Sequence, residues 1–173
     1  MARRGHAAPH PTQLSYTCQA MNNISNDPQD QTVICQVTSE WHLLLEQPYQ
    51  HRIEDNSLIL WTKGRSIIAA SFRLPPELSR DELLARLKSR PSAGILDVYE
   101  SVQDNIYRLA FLQSETLEKD QSRLAMHTFT ISRQSCLQVG FYFDLPADVQ
   151  WAKQTWDTVS NQPLQEELHH EYD

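Results

Sequence analysis

The sequence predicts an α+β protein built on one antiparallel β-sheet of about six to eight strands, with two helices. Short apolar runs alternate with turn residues along most of the chain, as they do in antiparallel sheets. Two other segments repeat their apolar residues with a helical period. A chain of 173 residues, 40% of them hydrophobic, is long enough for one domain with its own core.

Eight segments carry the strand signal. They are rich in aliphatic and aromatic residues and are bounded by polar turns; by number they are 33–37, 41–45, 57–61, 66–72, 95–102, 106–113, 123–131 and 136–143. The segments 57–61 and 66–72 flank a turn at Gly64 and are apolar on both faces. We therefore expect this hairpin at the centre of the sheet.

The first helix is predicted to begin at Ser79. Ser79 and Glu82 have the spacing of a capping box, in which each side chain binds a backbone N–H of the other residue. Pro91 cannot continue a helix, so it closes the segment.

The last helix is predicted to begin near Asp144 or Pro146 and to run to about Ser160. Residues spaced by four and three form an apolar stripe that suits a helix lying on a sheet; they are Leu145, Val149, Ala152, Trp156 and Val159. Trp151 lies about 140° around the helix from Trp156, outside this stripe.

Two interpretations of Trp151 stay open at this point. It either packs against a neighbouring strand edge or loop, or it anchors a bound protein, because tryptophan dominates many interfaces. In the second interpretation the surrounding residues form a polar rim. The predicted partner-binding residues are Trp151, Asp148, Gln154, Thr155 and Thr158.

The composition divides the chain into three parts. Residues 1–31 are polar and Pro-containing without an apolar period, so we expect a disordered N-terminal arm in which Met21 is an alternative start. Residues 32–162 form the single α+β domain. Residues 163–173 form an acidic C-terminal tail.

The motifs needed for common chemistries are missing from the sequence. The net charge of -7 argues against a non-specific nucleic-acid binder, and the four glycines are too scattered to form a phosphate loop. The three cysteines are widely spaced, which suggests neither a zinc site nor a disulfide framework. We expect no catalytic residues, metal or cofactor.

No run approaches the roughly 18 apolar residues of a membrane span, so we expect a cytoplasmic protein without a membrane partner.

Two weaker alternatives involve named side chains. His127 and Cys136 lie on successive strands, and a Cys–His pair can activate a nucleophile. Lys63 and Arg65 flank the turn at Gly64, where they form either a small anion site or, as we expect, a solvated hairpin tip.

The element order resembles the PsbP-like fold, whose superfamily includes Ran-binding nuclear import factors, DcrB-type bacterial proteins and Eag-type chaperones of type VI secretion. The resemblance rests on the hairpin "SLILW…SIIAASF", the helix "SRDELLARLK" before a long meander, and "WAKQTWDTVS" at the end. It covers about residues 33–160 and is architectural. Several members of this superfamily bind other proteins rather than catalyse reactions, and no functional residue carries over to this chain.

Taken together, the sequence predicts a cytoplasmic, non-catalytic protein-binding module, such as a bacterial secretion-system adaptor or chaperone, or a toxin immunity protein. Its partner would be an effector, a toxin or a secretion component, bound by a monomer or homodimer. One alternative is an enzyme or small-ligand binder with a pocket between sheet and helix, using His127 and Cys136. Another is an assembly subunit that dimerises through its sheet.

Overall fold

The computed structural model describes the backbone of residues 17–20 and all atoms of residues 32–89, 94–117 and 122–162. The protein is α+β and mostly strand, as predicted. Every sheet connection between the described strands is antiparallel, because each strand pairs with its neighbour in the opposite direction.

The main sheet has seven strands in the order β4-β5-β6-β10-β9-β8-β7. The strands are β4 (Gln50–Glu54), β5 (Ser57–Thr62), β6 (Arg65–Arg73), β7 (Ile95–Gln103), β8 (Ile106–Thr116), β9 (Ser122–Ile131) and β10 (Ser135–Phe143). The predicted hairpin therefore occupies the second and third positions, and β10 is the central strand. Strand β4 was not predicted, because its polar side chains are all exposed and give no apolar pattern.

A second sheet contains three strands in the order β1-β2-β3. They are β1 (Thr17–Ala20), β2 (Val33–Gln36) and β3 (His42–Leu45). Strand β1 lies within the arm that was predicted to be disordered, and its register places Cys18 opposite Cys35. The rest of that arm and the acidic tail 163–173 lie outside the described residues.

Two helices complete the fold. Helix α1 (Arg80–Lys88) begins after Ser79, and the predicted capping box is present: Glu82 N donates to Ser79 Oγ and Ser79 N donates to Glu82 Oε2. A 3₁₀ turn (Pro146–Asp148) leads directly into helix α2 (Val149–Asp157).

Helix α2 and the second sheet lie side by side on one face of the main sheet. Trp156 packs on this face, and its indole N–H donates to Thr130 Oγ1 at 3.1 Å. The helix end is tied to β3, where Leu44 N donates to Thr158 Oγ1 at 2.9 Å. This layer encloses the larger apolar core, which includes Trp41, Leu43, Leu60, Phe141 and Phe143.

The opposite face of the main sheet is packed against α1. Leu83 and Leu87 of the helix contact a smaller core formed by Leu109, Phe129, Ile131 and Cys136. We call this face the α1 side. Neither described helix has the length and apolar character that a membrane crossing requires.

The predicted apolar stripe of the last helix is wrong at its first residue and too narrow. Leu145 precedes the helix and is 62% exposed, whereas Ala152, Trp156 and Val159 are buried as expected. Trp151 and Thr155 are buried too. Because α2 lies in a corner between the main sheet and β3, more than one side of the helix is covered.

Trp156→Ala should lower the free energy of unfolding by about 3–5 kcal/mol, since it removes a large buried ring and leaves a cavity between helix and sheet. Urea unfolding measures this change. Gln154→Ala on the exposed side of the same helix is the matched control and should change stability by less than about 0.5 kcal/mol. Equal effects of the two substitutions would contradict the packing of α2.

Candidate functional site

Part of the α1 side has no covering element among the described residues. The register aligns one residue from each of the seven strands straight across the sheet, in the order Arg52, Ile59, Ile68, Gly140, His127, Phe111 and Val98. Helix α1 packs over the rows on one side of this line, where Phe129 and Ile131 lie. Phe111 on the line packs against the edge of this core, and the rest of the line and the rows on its other side have no covering helix or strand in the described part of the chain.

We call this uncovered region the open face. Its centre consists of partly exposed side chains, namely Ile59, Trp61, Ile68, Phe111, His127 and Tyr142. Charged side chains stand at its margins: Arg52 on the edge strand, and Glu115 and Arg123 at the ends of β8 and β9. The hairpin β5–β6 is apolar on both faces, and on the α1 side its residues Ile59 and Ile68 are half-buried.

A carboxylate organises the polar side chains of the open face. Glu115 lies opposite Arg123 in the register and accepts hydrogen bonds from Arg123 Nε and Nη2 at 3.1 and 3.0 Å. Gln113 Nε2 donates to the other carboxylate oxygen at 3.2 Å, and His127 Nε2 lies 2.8 Å from it. The small side chain of Ala125, which lies between Arg123 and His127 along β9, leaves room for this contact.

Tyr142 completes the group. Its ring packs edge-on against His127 with centroids 5.7 Å apart, and the Arg123 guanidinium lies 4.1 Å from the ring centroid. The ring leans over Gly140, where an added Cβ would meet the Tyr142 ring and hydroxyl at 3.0 Å. Gly140 therefore provides the space that Tyr142 occupies. We call Glu115, Arg123, His127 and Tyr142 the polar quartet.

Hydrogen bonds keep the Glu115 carboxylate charged. Burial alone would raise the pKa of Glu115, but the hydrogen bonds from His127, Arg123 and Gln113 outweigh it and hold that pKa below its ordinary value. Burial, followed by the nearby Glu115 charge, raises the pKa of the Tyr142 phenol. Glu115, Arg123 and His127 therefore satisfy one another around a stable carboxylate, and Tyr142 packs against them through its ring.

The polar quartet offers little for catalysis in this arrangement. His127 Nε2 already faces Glu115, and an Arg–carboxylate pair stabilises structure more readily than it transfers protons. The register places His127 opposite Gly140, four residues along β10 from Cys136, which is about 13 Å. The structure thus separates the Cys–His pair, and burial raises the pKa of the Cys136 thiol far above its usual range.

The described residues contain no group of three or more His, Cys, Asp or Glu side chains arranged to hold a metal ion. The hollow beside Gly64, which includes Lys63 and Arg65, is also lined by Asp144 and Asp148. Because these carboxylates offset the cations, an anion has no net attraction to this hollow.

The five predicted partner-binding residues do not form one exposed patch. Trp151, Asp148 and Thr155 are 5%, 8% and 6% exposed, and Thr158 is half-buried. Only Gln154 is exposed. The side chains of Asp148 and Thr158 bind neighbouring groups of the fold, namely Arg65 at 2.6 Å and the Thr155 carbonyl at 2.7 Å.

Trp151 is part of the core. It packs edge-on against Phe141 and Phe143, with ring centroids 5.6 and 6.3 Å apart. Arg65, which also bonds Asp148, lies 4.8 Å from the Trp151 ring centroid and covers the indole. The first interpretation is correct in that Trp151 packs within the fold, but its ring contacts lie on the central strand β10 rather than on a strand edge or loop. Its indole N–H has no hydrogen-bond acceptor among the described residues.

The polar quartet was not predicted from the sequence. One available signal was the spacing of Arg123, Ala125 and His127, since residues two apart on a strand share a face. The partners Glu115 and Tyr142 come from two other strands. Only the register of β8 and β10 against β9 brings them together.

The chain matches no protein-family model and no curated protein. The resemblance to the PsbP-like fold therefore stays a prediction.

Glu115→Gln should lower stability by about 1–2 kcal/mol at neutral pH, because it weakens the charge-assisted bonds to Arg123 and His127. The folded state holds the pKa of Glu115 below its unfolded value, so this stabilisation is lost as the pH falls through the lowered pKa. Urea unfolding across a pH series should show the two proteins converging in acid. The exposed Glu77→Gln is the control, and a constant gap at all pH values would contradict the assignment.

Gly140→Ala should destabilise the protein by about 1–3 kcal/mol, because its methyl group would crowd the Tyr142 ring at 3.0 Å and the contacts of that ring with His127 and Arg123 restrict its movement. The effect should shrink in a Tyr142→Ala background, where the ring is gone. A double-mutant cycle by urea unfolding should give a coupling of at least about 0.5 kcal/mol. Additive effects would show that Gly140 and Tyr142 act independently.

Proposed function

We propose that this chain is a non-catalytic protein-binding module and that its partner docks on the open face. The observation that supports the proposal is a partly exposed band of aliphatic and aromatic side chains across the sheet, bordered by charges. Contiguous apolar surface of this kind marks interaction sites in many soluble proteins. A cytoplasmic adaptor, secretion chaperone or toxin immunity protein would use such a surface.

The composition of the open face supports a protein partner. Tyrosine, tryptophan, phenylalanine and arginine are enriched at protein interfaces, and Tyr142, Trp61, Phe111 and Arg123 all lie here. Interfaces combine an apolar centre with a polar rim, and Arg52, Arg123 and Glu115 provide that rim. Trp61 is the best candidate for an energetic anchor, since truncating a tryptophan at an interface often costs about 2 kcal/mol or more.

The shape of the open face also favours a macromolecule over a small substrate. Small-molecule sites are usually concave and enclose most of the ligand. The open face is the surface of a sheet, and its titratable groups bind one another in the polar quartet. The expected partner is therefore a folded protein that presents an apolar surface with polar groups around it, to meet the rim formed by Arg52, Arg123 and Glu115.

Replacing Trp61 by a photoreactive phenylalanine derivative should produce one discrete crosslinked product in cells that express the chain. The same replacement at Gln154, on the exposed side of α2, is the control and also tests the earlier predicted site. Mass spectrometry identifies the crosslinked protein, and a product of twice the chain mass would indicate a homodimer instead. Product formation from Gln154 but not from Trp61 would reject the open face.

With the partner purified, Trp61→Ala should weaken binding at least about tenfold, as measured by calorimetry. Gln154→Ala should bind like the unchanged protein. Both variants need thermal midpoints close to that of the parent, so that lost affinity is not lost folding. Unchanged affinity for Trp61→Ala would contradict the proposed docking surface.

A further inference from the structure

The edge of the main sheet next to the open face is unusually apolar. Strand β7 has nine residues, and in the described part of the chain it pairs only with β8. Leu96, Val98 and Val102 are 60%, 44% and 63% exposed. Long edge strands with exposed apolar side chains are natural templates for pairing with another chain.

The turn after β7 determines which backbone groups point outward. Gln103 pairs with Ile106 across the two-residue turn Asp104–Asn105, whose residues have φ of 50° and 63°. In such a hairpin the residues flanking the turn exchange both hydrogen bonds, and alternate residues then face away from the partner strand. Counting back from Gln103, the N–H and C=O groups of Val98, Glu100 and Val102 point toward the free edge. The Val98 N–H donates to Asp97 Oδ1 at 2.9 Å, so an added strand must replace that bond.

The side chains of the same three residues share one face. Val98 lies opposite Phe111 of the open face, and Val102 lies opposite Tyr107. Between them, Glu100 forms a salt bridge with Lys88 of α1 at 2.6 Å. Both partners in this bridge are partly exposed, so the bridge contributes little to stability. The Glu100 carboxylate can therefore also bind a Lys or Arg side chain of another protein. On this face of β7, the Glu100 carboxylate therefore lies between the side chains of Val98 and Val102, next to the open face.

We propose that β7 binds an extended segment of the partner protein by strand addition, with a Lys or Arg opposite Glu100 and apolar residues two positions to either side. This inference rests on the proposed function and specifies how the partner is held. The main-chain bonds come from the outward groups of Val98, Glu100 and Val102. The residue pattern of the bound segment is symmetric about its Lys or Arg. The segment can therefore pair with β7 in either the parallel or the antiparallel direction.

The charge on β7 argues against a second copy as the occupant. If two copies of β7 paired antiparallel in the register that uses all three outward residues, Glu100 would face Glu100 of the other copy. Like charges directly opposite in a sheet are destabilising. Strand β7 contains Asp97 and Glu100 but no Lys or Arg, so a basic segment is the complementary occupant.

The opposite edge of the sheet is a weaker candidate. Strand β4 has five residues, and its Arg52 and Glu54 form a salt bridge with each other at 2.8 Å. Ile53 is its single exposed large apolar side chain. The shorter length and the internal charge pairing give an added strand fewer bonds and no charge preference.

Two fluorescein-labelled peptides of about nine residues, a typical strand length, test the proposal. Both carry Val-Thr-X-Thr-Val at the centre between threonines, with X as Lys in one and Glu in the other. Fluorescence anisotropy should show the Lys peptide binding the full chain at least about tenfold more tightly than the Glu peptide. The Glu100→Lys variant should reverse that preference. Equal affinities, or no binding of either peptide below about 1 mM, would overturn the proposal.

Amide hydrogen exchange measured by NMR distinguishes strand addition from other modes of binding. Saturating Lys peptide should slow exchange at the amides of Glu100 and Val102, which have no partner strand among the described residues. The Val98 amide already donates to Asp97 and should change less. Glu100→Pro removes one outward N–H, a change that edge strands tolerate, and should abolish binding of the Lys peptide, whereas Glu100→Gln should only weaken it. Protection confined to other strands would overturn the proposal.

The two proposals can fail separately. If Glu100→Pro leaves affinity for the crosslinked partner unchanged while Trp61→Ala weakens it, the open face binds the partner and strand addition is wrong. If the Lys peptide protects the edge amides but Trp61→Ala has no effect on the partner, strand addition stands and the proposed docking surface fails.

Discussion

The small size of helix α1 determines how the main sheet meets its surroundings. A nine-residue helix is about 13 Å long and about 10–12 Å wide, whereas the seven strands span about 29 Å from edge to edge and a nine-residue strand is about 30 Å long. The helix can therefore cover only part of the α1 side. On the opposite face, α2 and the three-stranded sheet together form a broader layer, and the larger core lies there. The asymmetry between the two faces follows directly from this difference in covering area.

The side chains of the open face, which no described element covers, must be compatible with water and must still pack over the central strands of the sheet. The polar quartet meets this requirement where β8, β9 and β10 lie side by side. Glu115 collects hydrogen bonds from Arg123 and His127, and Tyr142 fills the space above Gly140. Toward β5 and β6 the face stays aliphatic at Ile59 and Ile68. The result is one surface with a polar region and an apolar region, a combination typical of protein interfaces.

The arrangement of α2 explains why Trp151 is not an interface residue in the structure. A helix lying on an isolated sheet buries one stripe, but α2 also has β3 beside it and Arg65 above Trp151. Trp151 and Trp156 can then both be buried although they lie about 140° apart. Among the described residues, exposed apolar side chains lie instead along β7, and partly exposed ones lie in the open face.

The sequence by itself determined the fold class, nearly all strands of the main sheet and both helices, because these depend on local patterns of apolar and turn residues. The capping box at Ser79 is one such local signal, and it is present as predicted. Strand β4 was missed because its side chains are exposed and show no alternation. Tertiary structure alone decided which side chains meet. Glu115, His127 and Tyr142 come from three strands whose register no local pattern specifies. Trp151 is covered by Arg65, which is distant from it in sequence, and among the described residues α1 covers only part of its side of the sheet.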